Sequence, residues 1–176
     1  NNSMKVCLDE NVLLDSKQVE LLFEILHTNS PSGCEHQIVN ILRKHMSEYC
    51  DVKTDVIGNL YMEVGYRQGL TVMISAHSDE VGLQVVYIDK AGFVYVRNVA
   101  SIDKQTIPGN IVVALTSYGE IRGVIGKKSP HIIENKDKDI VPNIGDLWID
   151  FGFESDEEAK QYIQIGDYVS LYLVSN

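Results

Sequence analysis

Apolar residues recur at helical spacing near the start of the chain. In the first such stretch they occupy positions i, i+3, i+4 and i+7, as Val19, Leu22, Phe23 and Leu26. This spacing predicts a helix with one apolar face. Asp15 and Gln18 have the spacing of a capping box, which marks the helix start. Residues 29–31, Asn-Ser-Pro, predict its end.

A second helix is predicted directly afterwards. Ser32 and Glu35 again have capping-box spacing, so we expect Ser32 to be the residue that caps this helix. Its apolar stripe is predicted to contain Ile38, Ile41, Leu42, His45 and Tyr49. Within that stripe His45 is interpreted as a histidine at the edge of the core rather than as a metal ligand.

The pattern changes to strands between residues 52 and 76. Strands are predicted at residues 52–57 and 60–64, with a turn at Gly58 and Asn59. Residues 70–76, LTVMISA, are nearly all apolar, and strands apolar on both faces are normally covered on both faces. We therefore predict a buried central strand of an α/β sheet, which needs neighbouring strands that this chain does not obviously supply.

From residue 81 onward short strands alternate with turns. A hairpin is predicted between strands at residues 83–88 and 93–99. Further strands are predicted at residues 111–115, 120–126, 147–152 and 169–174, and Ser155 with Glu158 starts one short helix. Strands at this spacing predict a small barrel or sandwich. The chain is therefore expected to combine a partial α/β unit with a mostly-β unit.

Composition narrows the classes of function. The 176 residues include 25 acidic and 15 basic side chains, for a formal net charge of −10. Nucleic acids and anionic membranes require a basic surface, so neither is expected as the main partner. No apolar run approaches the roughly 20 residues of a membrane span. The N-terminus lacks signal-peptide features, and three cysteines without metal spacing are typical of reduced thiols, so a cytoplasmic location is expected.

The chemistry that stands out follows the predicted central strand. In LTVMISAHSDEVG, residues 70–82, the apolar run stops at His77, Asp79 and Glu80. Open α/β sheets hold reactive groups at the carboxyl ends of their strands, and residues two apart on a strand project to the same side. A neutral His77 could ligate Zn²⁺ or a similar metal, with Asp79 orienting the ring.

The simpler interpretation is that His77 makes a local hydrogen bond and Asp79 begins a turn. A catalytic metal needs about three protein ligands, and no second cluster with ligand spacing stands out. His131, after Ser129 and Pro130, is a weaker functional candidate that more often only shapes a loop. The sequence also contains no Gly-rich phosphate loop and no nucleophile elbow.

Several segments, in order, resemble the N-terminal half of the M42 family of metallo-aminopeptidases, over roughly residues 17–171. The family includes glutamyl aminopeptidases, TET aminopeptidases and proteins labelled cellulase M. The matching residues before the mostly-β unit are Ser30, Pro31, Ser32, Gly33 and Glu35, then Asp55 with residues 58–60, and then residues 76–82. Those within it are residues 107–109, 123–126, Pro130, His131, residues 146–147, 149–150 and 165–167.

The resemblance implies a zinc-peptidase α/β domain, begun by residues 1–80, into which a small PDZ-like or barrel-like β domain, residues 81–170, is inserted. Residues 171–176 would then begin the return to the catalytic domain. It implies that His77 is a metal ligand and that Asp79 is the acidic residue that orients the site. It further implies two divalent ions per complete site (zinc or cobalt), peptide substrates cleaved at a free N-terminus, and homo-oligomers as large as dodecamers.

The sequence also departs from the family. The other ligands and the catalytic base would follow the inserted domain, so we expect the chain alone to be inactive. Ser78 replaces the apolar residue that often lies between the ligand and the acid.

Two alternatives stay open: a non-enzymatic assembly module built on residues 81–170, and a glycosidase, as the cellulase label suggests. Glycosidases usually need two carboxyl groups at a defined separation, which the adjacent Asp79 and Glu80 do not readily provide.

Overall fold

The computed structural model describes residues 14–65, 69–128 and 141–172. Two helices come first, α1 (Ser16–Leu26) and α2 (His36–Met46), followed by a two-stranded hairpin of β1 (Val52–Thr54) and β2 (Leu60–Met62). The remaining elements are β3 (Leu83–Ile88), β4 (Val94–Asn98), β5 (Ile111–Thr116), β6 (Gly119–Gly126), β7 (Trp148–Asp150), α3 (Asp156–Tyr162) and β8 (Tyr168–Leu171). No helix in these described ranges has the length and apolar character needed to cross a membrane.

Six strands close a barrel in the order β3-β4-β7-β6-β5-β8, and all its neighbours are antiparallel. The barrel expectation is therefore confirmed. Its interior is filled by apolar side chains, which alternate with outward residues along β3 and the first part of β4, whereas β5 has three buried residues in a row. The core comprises Leu83, Val85, Ile88, Val94, Val96, Ile107, Val112, Ala114, Ile125, Ile144, Leu147, Ile149, Ala159, Ile163 and Val169.

Of the two predicted helix starts, the one at α1 is correct and the one at α2 is wrong. Asp15 caps α1, and the reciprocal capping box with Gln18 is formed, as predicted. The predicted box at Ser32 is wrong, because α2 begins at His36 after Glu35, which makes no side-chain capping bond. Glu35 instead accepts from the Gly33 N–H at 2.6 Å, and Ser32 donates to Asp79. Both side chains are thus taken by other partners.

The predicted central strand is also wrong for the part of the chain described here. Residues 70–76 form no strand, and their apolar side chains are exposed, with Leu70 at 93% and Ile74 at 92%. A strand exists only where a neighbour completes its hydrogen bonds. Here β1 and β2 pair with each other alone, so among the described residues nothing covers residues 70–76.

Burial is uneven along the chain. Before β3 the only buried aliphatic side chain among the described residues is Ile38, and α1 contains no buried residue at all. The apolar face predicted for α1 exists, but Leu22, Phe23 and Leu26 are 37%, 44% and 53% exposed. Hydrophobic burial, the main stabilising term, is therefore concentrated in the barrel.

Truncating a barrel side chain tests this distribution. Ile149 on β7 is fully buried, so Ile149→Ala should lower the free energy of unfolding by about 2–5 kcal/mol through lost burial and the cavity it leaves. Ile165→Ala is the matched control, because Ile165 is 69% exposed and its loss should cost under about 0.5 kcal/mol. Urea unfolding measures both, and equal losses would contradict a barrel-centred core.

Candidate functional site

His77 and Asp79 lie in hydrogen-bond contact. The Nδ1 atom of His77 is 2.9 Å from Asp79 Oδ1 and 3.1 Å from the Asp79 main-chain oxygen. A carbonyl oxygen only accepts hydrogen bonds, so Nδ1 is the donor and carries the proton. In the neutral ring the lone pair is then on Nε2. That atom has no hydrogen-bond partner among the described residues, and the His77 side chain is 86% exposed.

Asp79 uses both carboxylate oxygens. Oδ1 accepts from His77, and Oδ2 accepts from the Ser32 hydroxyl. The hydrogen bond from Ser32, followed by that from His77, lowers the pKa of Asp79 below its ordinary value, because both donors favour the charged form. Asp79 is therefore an anion at neutral pH, and its contacts are those of a group that orients a neighbour.

Glu80 joins three segments of the chain. It forms a parallel bridge with Pro31, in which its N–H donates to the Ser30 carbonyl at 2.9 Å and its carbonyl accepts from the Ser32 N–H at 3.1 Å. Its Oε1 accepts from the Ser30 N–H at 2.9 Å and from the Ser170 hydroxyl at 3.2 Å. The loop between the helices, the His77 segment and β8 of the barrel are thus held together at one residue.

Two glycines permit this close packing. A Cβ on Gly82 would lie 2.5 Å from the Cβ of Pro31, closer than real contacts allow. Gly33 has φ +93°, and a Cβ there would collide with the hydroxyl of Tyr168 on β8. The loop of residues 29–33, called here the connecting loop, therefore packs against both the His77 segment and the barrel. Sequence reasoning missed this packing, although small residues in both segments were a signal for it.

The described residues do not hold a metal ion by themselves. Among residues 14–65, 69–128 and 141–172 there is no group of three or more His, Cys, Asp and Glu side chains that could do so. A catalytic zinc takes three protein ligands, so these residues offer one imidazole with its orienting carboxylate. His131 and Pro130 lie outside the described residues. The ligand role of His77 and the orienting role of Asp79 therefore stay predictions.

Comparison with known proteins identifies relatives. The family model for M42 glutamyl aminopeptidase matches residues 58–173. The putative aminopeptidase SgcX of Escherichia coli is 33% identical over 157 residues, which cover 87% of this chain and 42% of that protein. The lysyl aminopeptidase of Pyrococcus furiosus is 32% identical over 150 residues, covering 81% of this chain and 42% of its own. The chain thus spans less than half the length of these relatives.

Solved structures give the same result. A TET aminopeptidase from a marine-sediment Thaumarchaeota archaeon aligns with a TM-score of 0.84 at 28% identity, covering 88% of this chain and 44% of that one. The structure described as the PhTET1-12s dodecamer aligns with a TM-score of 0.77 at 32% identity, with 88% and 45% covered. The fold of the described residues is therefore that of part of a TET-type peptidase.

The junction at Glu80 yields a stability prediction. Glu80→Ala should lower the free energy of unfolding by about 1–3 kcal/mol, because it leaves the buried Ser170 hydroxyl and the Ser30 N–H without their acceptor. Glu80→Gln keeps an acceptor oxygen and should recover most of that loss. Glu120→Ala removes an acceptor from the exposed contact with Asn29 and serves as control. A Glu80→Ala loss no larger than that of the control, in urea unfolding, would contradict the assignment.

Proposed function

Because the chain belongs to the M42 family of glutamyl aminopeptidases, we propose that it forms the N-terminal part of a metal-dependent enzyme that removes amino acids from peptide N-termini. In this proposal residues 1–80 begin the catalytic domain, residues 81–170 are the inserted β domain, and residues 171–176 lead back to the catalytic domain. The proposal places the enzyme in the cytoplasm, where the three cysteines would stay reduced.

The observation that carries the proposal is the His77–Asp79 pair. An exposed imidazole whose Nδ1 donates to a carboxylate has its Nε2 lone pair turned to the ligand position, which is the usual arrangement of a metal-binding histidine. We assign His77 as a ligand and Asp79 as the group that orients it. A divalent ion such as zinc or cobalt, two per complete site by family resemblance, would supply Lewis acidity when bound.

The remaining ligands and the general base come from polypeptide outside the described residues. The exposed apolar segment at residues 70–76 supports this part of the proposal, because it runs directly into His77 and pairs with no strand among the described residues. Burying its side chains would contribute roughly 25 cal/mol per Å². A further part of the catalytic domain that pairs with this segment would both cover it and bring other ligands to His77. The chain alone is then inactive.

A second candidate role, self-association through the barrel, has its own support. The barrel is closed and is filled by the main apolar cluster of the described residues. Because a related structure is described as a dodecamer, we propose that the barrel mediates homo-oligomer formation. A glycosidase is disfavoured, because its two carboxyl groups would have to flank one sugar cleft. Asp79 instead bonds Ser32 and His77, and Glu80 bonds Ser30 and Ser170.

Activity and metal content test the proposal together. The purified chain, supplied with Zn²⁺ or Co²⁺, should release no product from aminoacyl p-nitroanilides above the buffer rate. The same chain isolated from its native source, with whatever polypeptide it carries, should show metal-dependent aminopeptidase activity and bound divalent metal. Substantial turnover by the isolated chain would contradict its incompleteness. Stable oligomers without metal or activity in the native material would favour the assembly role.

Substituting the predicted ligand gives a sharper test in that active material. His77→Ala should lower metal content and reduce activity at least about 100-fold, the upper range for disturbing a group that only supports a ligand. His27→Ala is the matched control, because the His27 ring hydrogen-bonds the Phe23 carbonyl and stacks on the Phe23 ring within α1 and its cap. Normal metal content in the His77→Ala enzyme, measured by atomic emission, would remove His77 from the site.

A further inference from the structure

We propose that Ser32 is a positioning residue of this site, because its hydroxyl holds Asp79 in the orientation that keeps the His77 proton on Nδ1 and leaves Nε2 as the ligand atom. The inference rests on the proposed function only in taking Nε2 to be the ligand. The hydrogen bonds themselves are features of the structure.

Ser32, Asp79 and His77 form a chain of two hydrogen bonds, with the Asp79 carboxylate in the middle. The Ser32 hydroxyl donates to Asp79 Oδ2, and His77 Nδ1 donates to Asp79 Oδ1. Each carboxylate oxygen thus has one protein donor. The Asp79 side chain is 36% exposed, so water competes for any oxygen that the protein leaves open. Without the hydroxyl, His77 would be the remaining side-chain donor to the carboxylate among the described residues, and an exposed pair of this kind is weakly fixed.

Ser32 is well placed to orient another group because its own backbone is held. Its N–H donates to the Glu80 carbonyl, the preceding residue forms the bridge to the same residue, and the following glycine lies against Tyr168 of the barrel. The hydroxyl therefore projects from a fixed point of the connecting loop. It has one other acceptor, the Glu80 carbonyl at 3.4 Å, which is longer and uncharged, so the carboxylate is preferred.

Ser32 makes no capping bond to the helix that follows. Since α2 begins at His36, and no side chain caps it, a Ser32 substitution should not remove a helix cap. Its expected effect is confined to Asp79 and, through Asp79, to His77. Ser32 of the connecting loop thus acts on the site through its bond to Asp79.

The tautomer of His77 is a direct readout of this effect. In the ¹⁵N-labelled chain, long-range ¹H–¹⁵N spectra of the neutral ring distinguish Nδ1–H from Nε2–H. We expect Nδ1–H to predominate in the unmodified chain. Ser32→Ala should lower the ratio of the two tautomers about threefold, the size expected of an exposed charge-assisted contact. Ser32→Thr keeps a hydroxyl and should restore it.

Control variants separate this role from a general loss of structure. Ser47→Ala removes an exposed hydroxyl that donates to the Arg43 carbonyl and should leave the ratio unchanged. Asp79→Ala removes the carboxylate and leaves the Asp79 main-chain oxygen as an acceptor for Nδ1–H, so it should lower the tautomer ratio more than Ser32→Ala does. The amide resonances of the barrel in the same samples report whether each variant is folded. If Ser32→Ala does not fold, Ser32→Cys takes its place, because a thiol is a weaker hydrogen-bond donor than a hydroxyl and should also lower the ratio.

The outcomes distinguish the proposed positioning role of Ser32 from the proposed ligand role of His77. An unchanged ratio in folded Ser32→Ala, with a changed ratio in Asp79→Ala, would overturn the role of Ser32 and leave His77 as a ligand candidate. A predominance of Nε2–H in the unmodified chain would overturn the proposal that Asp79 keeps the His77 proton on Nδ1. Failure of the proposed function would instead appear in the metal content of His77→Ala, which does not depend on the tautomer measurement.

Discussion

The bridge between Pro31 and Glu80 is the contact on which the arrangement around His77 depends. It joins residues about fifty positions apart through paired main-chain hydrogen bonds, and the Glu80 carboxylate adds a bond to the buried Ser170 of the barrel. Main-chain pairing of this kind is satisfied only in one register, so it fixes where Ser32 lies relative to Asp79. The glycines at positions 33 and 82 are needed because the backbones approach so closely.

Stability and chemistry are distributed differently along the chain. Among the described residues, nearly all buried apolar side chains lie in the barrel and the segments packed on it, whereas α1 and residues 70–76 expose theirs. The His77 pair lies at the boundary between these parts and is tied to the barrel through Glu80. A reactive group supported by a rigid core on one side and open on the other is suited to receive further ligands from another part of a protein. This arrangement supports the proposal that the chain is one portion of an M42 enzyme.

The site chemistry depends on small polar contacts more than on burial. His77 is almost fully exposed, so its orientation comes from hydrogen bonds to Asp79 rather than from packing. Ser32 bonds Asp79, and Asp79 bonds the His77 imidazole. The imidazole is thereby linked to the connecting loop, which packs against Tyr168 of β8. Orientation of a ligand by carboxylates beyond the first contact is a general property of metal sites. In the proposed site, the support of His77 includes β8 of the barrel through Glu80 and Ser170.

The sequence by itself determined the local structure: the capping box of α1, the β3–β4 hairpin and the alternating strands of the barrel, each written within a few neighbouring residues. It also placed His77 and Asp79 close enough to interact, since two residues separated by one can meet without help from the fold. Tertiary structure alone decided that Ser32 binds Asp79 instead of capping α2, and that Glu80 joins the barrel to the loop. It also decided that residues 70–76 have no covering neighbour among the described residues. These outcomes depend on partners distant in the chain, and a side chain with two available partners, or a strand without a neighbour, takes the state that the rest of the fold provides.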